Sequence, residues 1–205
     1  MQNEITWRIT PTKTPDVIRH CSKCNRKMPY YCSEKFRANA NQSRVDIWLI
    51  YKCTKCDNTL KLSICKGVRP HELPTGLFDK FVNNDALLAW QYAFDRNFLK
   101  QHDCTIDYSS VEYIVDIIDD CDWKAPVTVH VKSQYSFDLK LSALLARMLD
   151  TSIGQIKRLA DAGQISASLG INIMKYRIRA DQCLTLSYIS SANTNTTTSM
   201  HSPQP

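Results

Sequence analysis

The chain has 205 residues, 43% of them hydrophobic, and no apolar run near the roughly 18 residues of a membrane helix. It is long enough for one large domain or two to three small ones, and a helical membrane protein is excluded. The net charge of +6 is segregated: residues 1–70 carry 14 Lys and Arg against 5 Asp and Glu, residues 71–125 carry 4 against 11, and residues 126–205 carry 8 against 4. Two basic ends around an acidic middle suit either a polyanion partner or docking of the middle on its neighbours. Met1 to Thr10 lacks the basic start and apolar stretch of a secretion signal, so a cytoplasmic location is expected. Nine cysteines, an odd number, point to metal binding rather than to a disulfide framework in such a compartment.

Residues 1–70 read as a β module. Residues 30–36 form a candidate strand, and the Ala-Asn-Ala-Asn-Gln-Ser run at 38–43 a turn. The β-branched and aromatic stretch VDIWLIY at 45–51 predicts a buried strand, and 59–64 a third. Two Cys-x-x-Cys pairs, Cys21 with Cys24 and Cys53 with Cys56, are separated by 28 residues. A chain that runs out along 30–36 and back along 45–51 brings both pairs to one end of a hairpin, where four thiolates complete a tetrahedral shell. Zinc is the expected ion, with a structural role, and iron in the same four-sulfur cage is the alternative. Redox chemistry needs one pair, and two are present. Asn25 and Asp57 follow the second cysteines, where the backbone of such turns takes positive φ. Lys23, Arg26, Lys27, Lys52 and Lys55 favour ionised thiolates nearby. Cys32, Cys65, Cys104, Cys121 and Cys183 lack paired spacing and read as small apolar residues. This layout resembles a zinc ribbon. A closed four-cysteine site leaves no open position for chemistry, so it implies a scaffold or binding module.

Residues 71–125 begin with a short helix over 76–82. A longer helix to about residue 100, capped by Asn84, follows. Leu87, Leu88, Trp90, Tyr92, Phe94, Phe98 and Leu99 cover a wide arc of it, and Asp95 within that arc predicts a carboxylate paired with a base. Residues 111–118 predict a strand, and Asp119, Asp120 and Asp122 a solvated acidic loop. This segment shows no nucleophile–base pair and no glycine-rich phosphate loop, so no catalytic residue is assigned, the protein is not expected to be an enzyme, and no small-molecule substrate is evident.

Residues 126–189 form a basic third module. Leu141, Leu144, Leu145, Met148 and Leu149 share one helix face. A second helix starts at Ser152, spaced with Gln155 as a capping box, and ends at Gly163. A short strand is predicted over 164–168. The alternation at 175–179 predicts a strand with Lys175, Arg177 and Arg179 on one face, and 183–188 returns beside it. Residues 190–205, rich in Ser, Thr and Asn, are expected to be disordered. The expected class is therefore α+β, with modules at 1–70, 71–125 and 126–189 and a tail at 190–205.

Within the third module, LKLSALLA at 139–146, Thr151-Ser152, Lys157-Arg158-Leu159, AGQI at 162–165 and YRIRAD at 176–181 resemble the RNA-binding domain of the ribosomal small-subunit protein S-four family, the αL motif. The resemblance implies that the two helices and the following β turn face structured RNA, ribosomal or transfer RNA included. Lys140, Arg147, Lys157 and Arg158 are then the helix contacts, and Lys175, Arg177 and Arg179 join them from strand alternation. Ile153 stands where that family has an arginine, and Ala167-Ser168-Leu169-Gly170 replaces its Val-Asn-Gly turn. The alternatives are a retained fold with solvated cations, and a zinc-stapled adaptor with a protein partner. CSKC at 21–24, CSEKFRANAN at 32–41, DIWLIYKC at 46–53, Asn84-Asp85 and Ala93-Phe94-Asp95 resemble a bacterial family known as domain of unknown function 1062. That resemblance implies a bacterial origin and no activity.

Overall fold

The computed structural model describes residues 3–41, 43–120, 122, 125–180 and 184–188. It is α+β, with two five-stranded sheets and five α-helices. Contacts divide the chain into two units. One comprises residues 10–114 and 135–138, and the other residues 1–9, 115–134 and 139–205. The charge boundaries near 70 and 125 are a reading of composition; the contact boundaries follow the pairing of distant strands.

In the unit of residues 10–114 the strands are β2 (Asp16–Cys21), β3 (Arg26–Asn41), β4 (Arg44–Cys53), β5 (Thr59–Val68) and β6 (Thr105–Asp107). They lie in the order β5-β4-β3-β2-β6, every pair antiparallel. The 38–43 turn expected from sequence is shorter than its composition suggests. Ala38, Ala40 and Asn41 pair with Ile47, Val45 and Arg44, so β3 stays in the ladder through Asn41. A bulge interrupts β3, since Cys32 faces Tyr51 while Lys35 faces the adjacent Ile50.

Three helices, α1 (Leu77–Val82), α2 (Ala86–Phe94) and α3 (Arg96–Gln101), cover one face of this sheet. Phe81 lies edge-on to Phe36 with ring centroids 5.0 Å apart, and Leu49, Tyr51, Leu62, Ala89 and Leu99 share the same core. The single long helix expected over 84–100 is broken. Asp85, not Asn84, caps α2, accepting from the Leu88 amide at 2.8 Å. Asn84 has φ 55° and its Oδ1 accepts from the Phe36 amide at 2.7 Å, which ties the helices to β3. Asp95 is exposed and is neither paired with a base nor inside an apolar arc. Its Oδ1 accepts from the amides of Asn97 and Phe98 at 2.8 and 3.1 Å and starts α3. The break also turns Leu87 out to solvent, 67% exposed.

The other unit holds β1 (Glu4–Pro11), β7 (Tyr113–Ile118), β8 (Val127–Ser133), β9 (Ile165–Ala167) and β10 (Leu184–Tyr188), in the order β7-β1-β8-β10-β9. β1 and β7 cross the unit boundary in the chain. β1 runs parallel to β8, with Ile5 opposite Val129 and Trp7 opposite Val131. Neither strand was anticipated, although Val127, Val129 and Val131 alternate and are buried. The helices are α4 (Leu141–Met148) and α5 (Ile153–Asp161). Leu141, Leu144, Leu145 and Ile156 are their buried apolar residues, as the periodicity requires, and Ser142 is buried beside them. The Ser152 hydroxyl accepts from the Gln155 amide at 3.1 Å, and Gly163 follows the helix at φ 72°.

Residues 175–179 do not form the strand that their alternation suggests. The Asn172 side chain accepts from the amides of Met174 and Lys175 at 3.0 and 3.1 Å, which folds the segment into a turn. One antiparallel bridge follows, between Lys140 and Arg177. Residues 181–183, between that segment and β10, and the tail at 190–205 lie outside the described residues. Among the described residues no helix is long and apolar enough to cross a membrane.

Replacing Asp95 by Ala leaves two amides of α3 without an acceptor, whereas Asn keeps the cap. Asp95→Ala is expected to lower stability by about 1 kcal/mol and Asp95→Asn by a few tenths, read from urea unfolding followed by circular dichroism.

Candidate metal centre

Two hairpin turns bring the cysteines together. β2 ends at Cys21, which pairs with Arg26 at the start of β3, and Cys24 lies in the turn between them. β4 ends at Cys53, opposite Tyr30 of β3, and Cys56 lies in the turn to β5. Strands β2 and β4 flank β3 on either side, so both turns meet at one end of the sheet. The positive φ expected after each second cysteine is present, 52° at Asn25 and 55° at Asp57. The second turn is closed by the Asp57 amide on the Cys53 carbonyl and the Cys53 amide on the Asn58 carbonyl, both at 3.0 Å. The Thr54 amide donates to the Pro29 carbonyl, also at 3.0 Å, and joins this turn to β3.

The four sulfurs lie within 4.8 Å of one another, and Cys21 Sγ is 3.6 Å from Cys56 Sγ. A disulfide requires about 2.05 Å. A tetrahedron with metal–sulfur bonds of about 2.3 Å has edges of about 3.8 Å, so the spacing fits one metal ion. Among the described residues this is the one group of metal-ligating side chains close enough to share an ion. Asp119, Asp120 and Asp122 form no such group and are exposed. His20, beside Cys21, is exposed opposite Lys27 and outside the cluster.

The electrostatics call for a cation. The buried Tyr30 hydroxyl hydrogen-bonds the Cys21 sulfur and lowers its pKa to about 6. Asn58 Nδ2 donates to the same sulfur at 3.8 Å. Cys24, hydrogen-bonded to Cys56 and desolvated, is pushed up to about 12. Four thiols this close cannot all ionise unless a positive ion sits among them. Tyr30 and Asn58 were not anticipated as part of the site. The signal for Tyr30 is its position opposite Cys53, which only strand register reveals.

The remaining described cysteines are different. Cys32 and Cys104 are buried and Cys65 is half-buried. Burial pushes the Cys32 thiol up to about 12, and it raises Cys65 and Cys104 as well. Such thiols behave as small apolar groups. Cys121 and Cys183 lie outside the described residues. Lys23, Arg26, Lys27 and Lys55 are exposed around the turns, and Lys52 is half-buried.

In the other unit, Lys140, Arg147, Lys157, Arg158, Lys175, Arg177 and Arg179 are all exposed. Lys140 precedes α4 and supplies no side-chain cap to it. The Leu141 amide donates to the Tyr176 carbonyl at 3.0 Å and the Ile178 amide to the Leu139 carbonyl at 2.9 Å. Lys140 and Arg177 are thereby set opposite each other as a non-hydrogen-bonded pair, the closer kind of antiparallel pair.

Fold and site define an α+β protein in which four convergent cysteines clasp two hairpins of one unit, and exposed cations surround the helices of the other. The chain belongs to the family described as Protein of unknown function (DUF1062), whose model matches residues 38–170. That match includes Cys53 and Cys56, while Cys21 and Cys24 precede it. No curated protein and no solved structure matches the chain.

The left-handed turn residues give a direct test of how the clasp is folded. Asn25→Gly is expected to be neutral within a few tenths of a kcal/mol, and Asn25→Ala to cost about 1 kcal/mol in chemical denaturation, because a Cβ without a local hydrogen bond resists φ 52°.

Proposed function

We propose that the protein is a zinc-containing RNA-binding protein that takes structured RNA on the unit containing α4 and α5. The observation that carries this reading is the gathering of exposed cations on and beside α4 and α5, where the backbone sets Lys140 opposite Arg177. A group of cations gathered on one unit suits a partner that carries phosphates. Arg147, Lys157 and Arg158 lie exposed on the two adjoining helices, and Lys175 and Arg179 flank Arg177. Recognition of this kind reads backbone charge and helix shape more than sequence.

In the first unit, Cys21, Cys24, Cys53 and Cys56 would hold the zinc ion, with the Tyr30 hydroxyl and the Asn58 amide orienting Cys21. A closed shell of four thiolates supplies folding energy and no open coordination position. The reading therefore assigns the ion a structural role and assigns no catalytic residue.

Gently purified protein is expected to carry one equivalent of zinc by elemental analysis. Cys53→Ser is expected to abolish it and Cys32→Ser to retain it. Acidification releases the ion, because each departing thiolate takes up a proton, and a strong chelator lowers the thermal midpoint of the intact chain. Metal-free protein whose unfolding is indifferent to chelator would overturn the assignment.

RNA recovered with the protein from lysate is expected to contain structured species. Binding should weaken as salt rises, and replacing Lys140, Arg147, Lys157 and Arg158 together by Ala should flatten the logarithmic salt dependence by about 3 to 4. Unchanged affinity in that variant, or a stoichiometric protein partner that survives ribonuclease, supports an adaptor instead.

A further inference from the structure

The helices α1–α3 cover one face of the β2–β6 sheet, and the composition of the opposite face calls for a partner. On β4, Val45, Ile47, Leu49, Tyr51 and Cys53 belong to the core beneath the helices. Strand alternation sends the intervening Trp48, Ile50 and Lys52 the other way. Register extends this outer face across the neighbours. Lys52 lies opposite Tyr31, Ile50 lies between Lys35 and Lys61, and Trp48 lies opposite Arg37. Further along β3, Lys27 faces His20.

Five cations thus share one sheet face with two aromatic rings. Lys27, Lys35, Arg37 and Lys61 are exposed, and Lys52 is half-buried. None of the five is among the ion pairs of the described residues. The carboxylates of this face lie at its margins and are engaged there. Asp46 accepts from the Gly67 amide at 2.7 Å, Asp57 accepts from the Tyr31 hydroxyl at 3.2 Å, Asp16 is buried beside β6, and Asp107 opposite it accepts from the Ser109 amide and hydroxyl at 2.9 and 2.6 Å. Protection of a sheet edge does not account for the pattern, because β3 and β4, which carry Lys35, Arg37 and Lys52, are interior strands. The rings are accessible: Tyr31 is 37% exposed, and Trp48 is half-buried with Lys61 Nζ over it at 5.8 Å from the ring centroid.

We infer that this face binds single-stranded nucleic acid, with bases stacked on Trp48 and Tyr31 and the phosphates carried by Lys27, Lys35, Arg37 and Lys52. Charge complementarity selects a polyanion, and the two rings, Tyr31 exposed and Trp48 half-buried, select one with unpaired bases, since bases inside a duplex present no free face. Lys61 leaves the Trp48 ring for a phosphate when a base takes its place. This face belongs to the unit of residues 10–114, so the inference stands or falls separately from structured-RNA binding by α4 and α5.

The test uses the full-length protein and a fluorescein-labelled oligouridylate of about twelve nucleotides, with oligothymidylate as the DNA arm and a labelled RNA hairpin as comparison. Anisotropy titrations over a range of salt are expected to show binding of the single strands. Lys35→Gln/Arg37→Gln/Lys52→Gln should lower the logarithmic salt slope for the single strands by about 2, at about 0.7 per phosphate contact. Trp48→Ala should weaken single-strand binding about tenfold, and Trp48→Phe, which keeps a ring, should restore most of it. Circular dichroism and thermal unfolding establish that each variant is folded, and the glutamine triple variant leaves the apolar residues of the sheet in place. Replacing Lys140, Arg147, Lys157 and Arg158 by Ala should affect the hairpin and spare the single strands. The inference is overturned if the wild-type protein ignores the oligonucleotides, or if the glutamine variant keeps their affinity and slope. It is equally overturned if Trp48→Ala binds unchanged, which would make the contact one with any polyanion, or if the α4 and α5 variant loses single strands instead.

Discussion

The antiparallel ladder between β3 and β4 is the constraint from which the metal centre, the core and the outer sheet face all follow. It sets Tyr30 opposite Cys53, and with β2 on the other side of β3 it leaves two hairpin turns side by side. The sulfurs meet because the strands pair in this register. A shift of one residue would send Cys53 to the face that carries Lys52 and would move Leu49 and Tyr51 out of the core. The bulge between Cys32 and Lys35 takes up two residues, an even number, so alternation is kept and Cys32 and Phe36 both face the helices.

Each side of that ladder has its own chemistry. The covered side is apolar and aromatic, with Phe36, Phe81 and Tyr92 in mutual ring contact, and it gives the first unit its packing. The clasp at the end of the sheet crowds four thiols around Tyr30 and Asn58, an arrangement whose charge balance improves when an ion sits within it. In the second unit, backbone pairing rather than attraction brings Lys140 and Arg177 together. Exposed cations are thus gathered in each unit by strand and backbone pairing.

Some features were legible in the residues because short-range physics fixes them. The face of α4 follows from Leu141, Leu144 and Leu145, and the start of α5 from Ser152. Asn25 and Asp57 announced left-handed turns because few other residues tolerate them. Elsewhere local patterns competed and the wrong one was read. Asp95 sits in a run whose hydrophobicity suggests one long helix, yet its carboxylate gains more from capping α3 than from burial. Alternation at 175–179 imitates a strand, but Asn172 folds the backbone before a ladder forms.

The sequence by itself determined the two Cys-x-x-Cys pairs, the helix faces and the left-handed turns, since each depends on side-chain chemistry within a few residues. Tertiary structure alone decided that β1 pairs with β8 across more than half the chain, that Tyr30 hydrogen-bonds a cysteine, and that Lys35, Arg37 and Trp48 share one open face. Those relations depend on which strands become neighbours and in what register. Cross-strand partners are set by packing of the whole unit and leave no periodic signal along the chain.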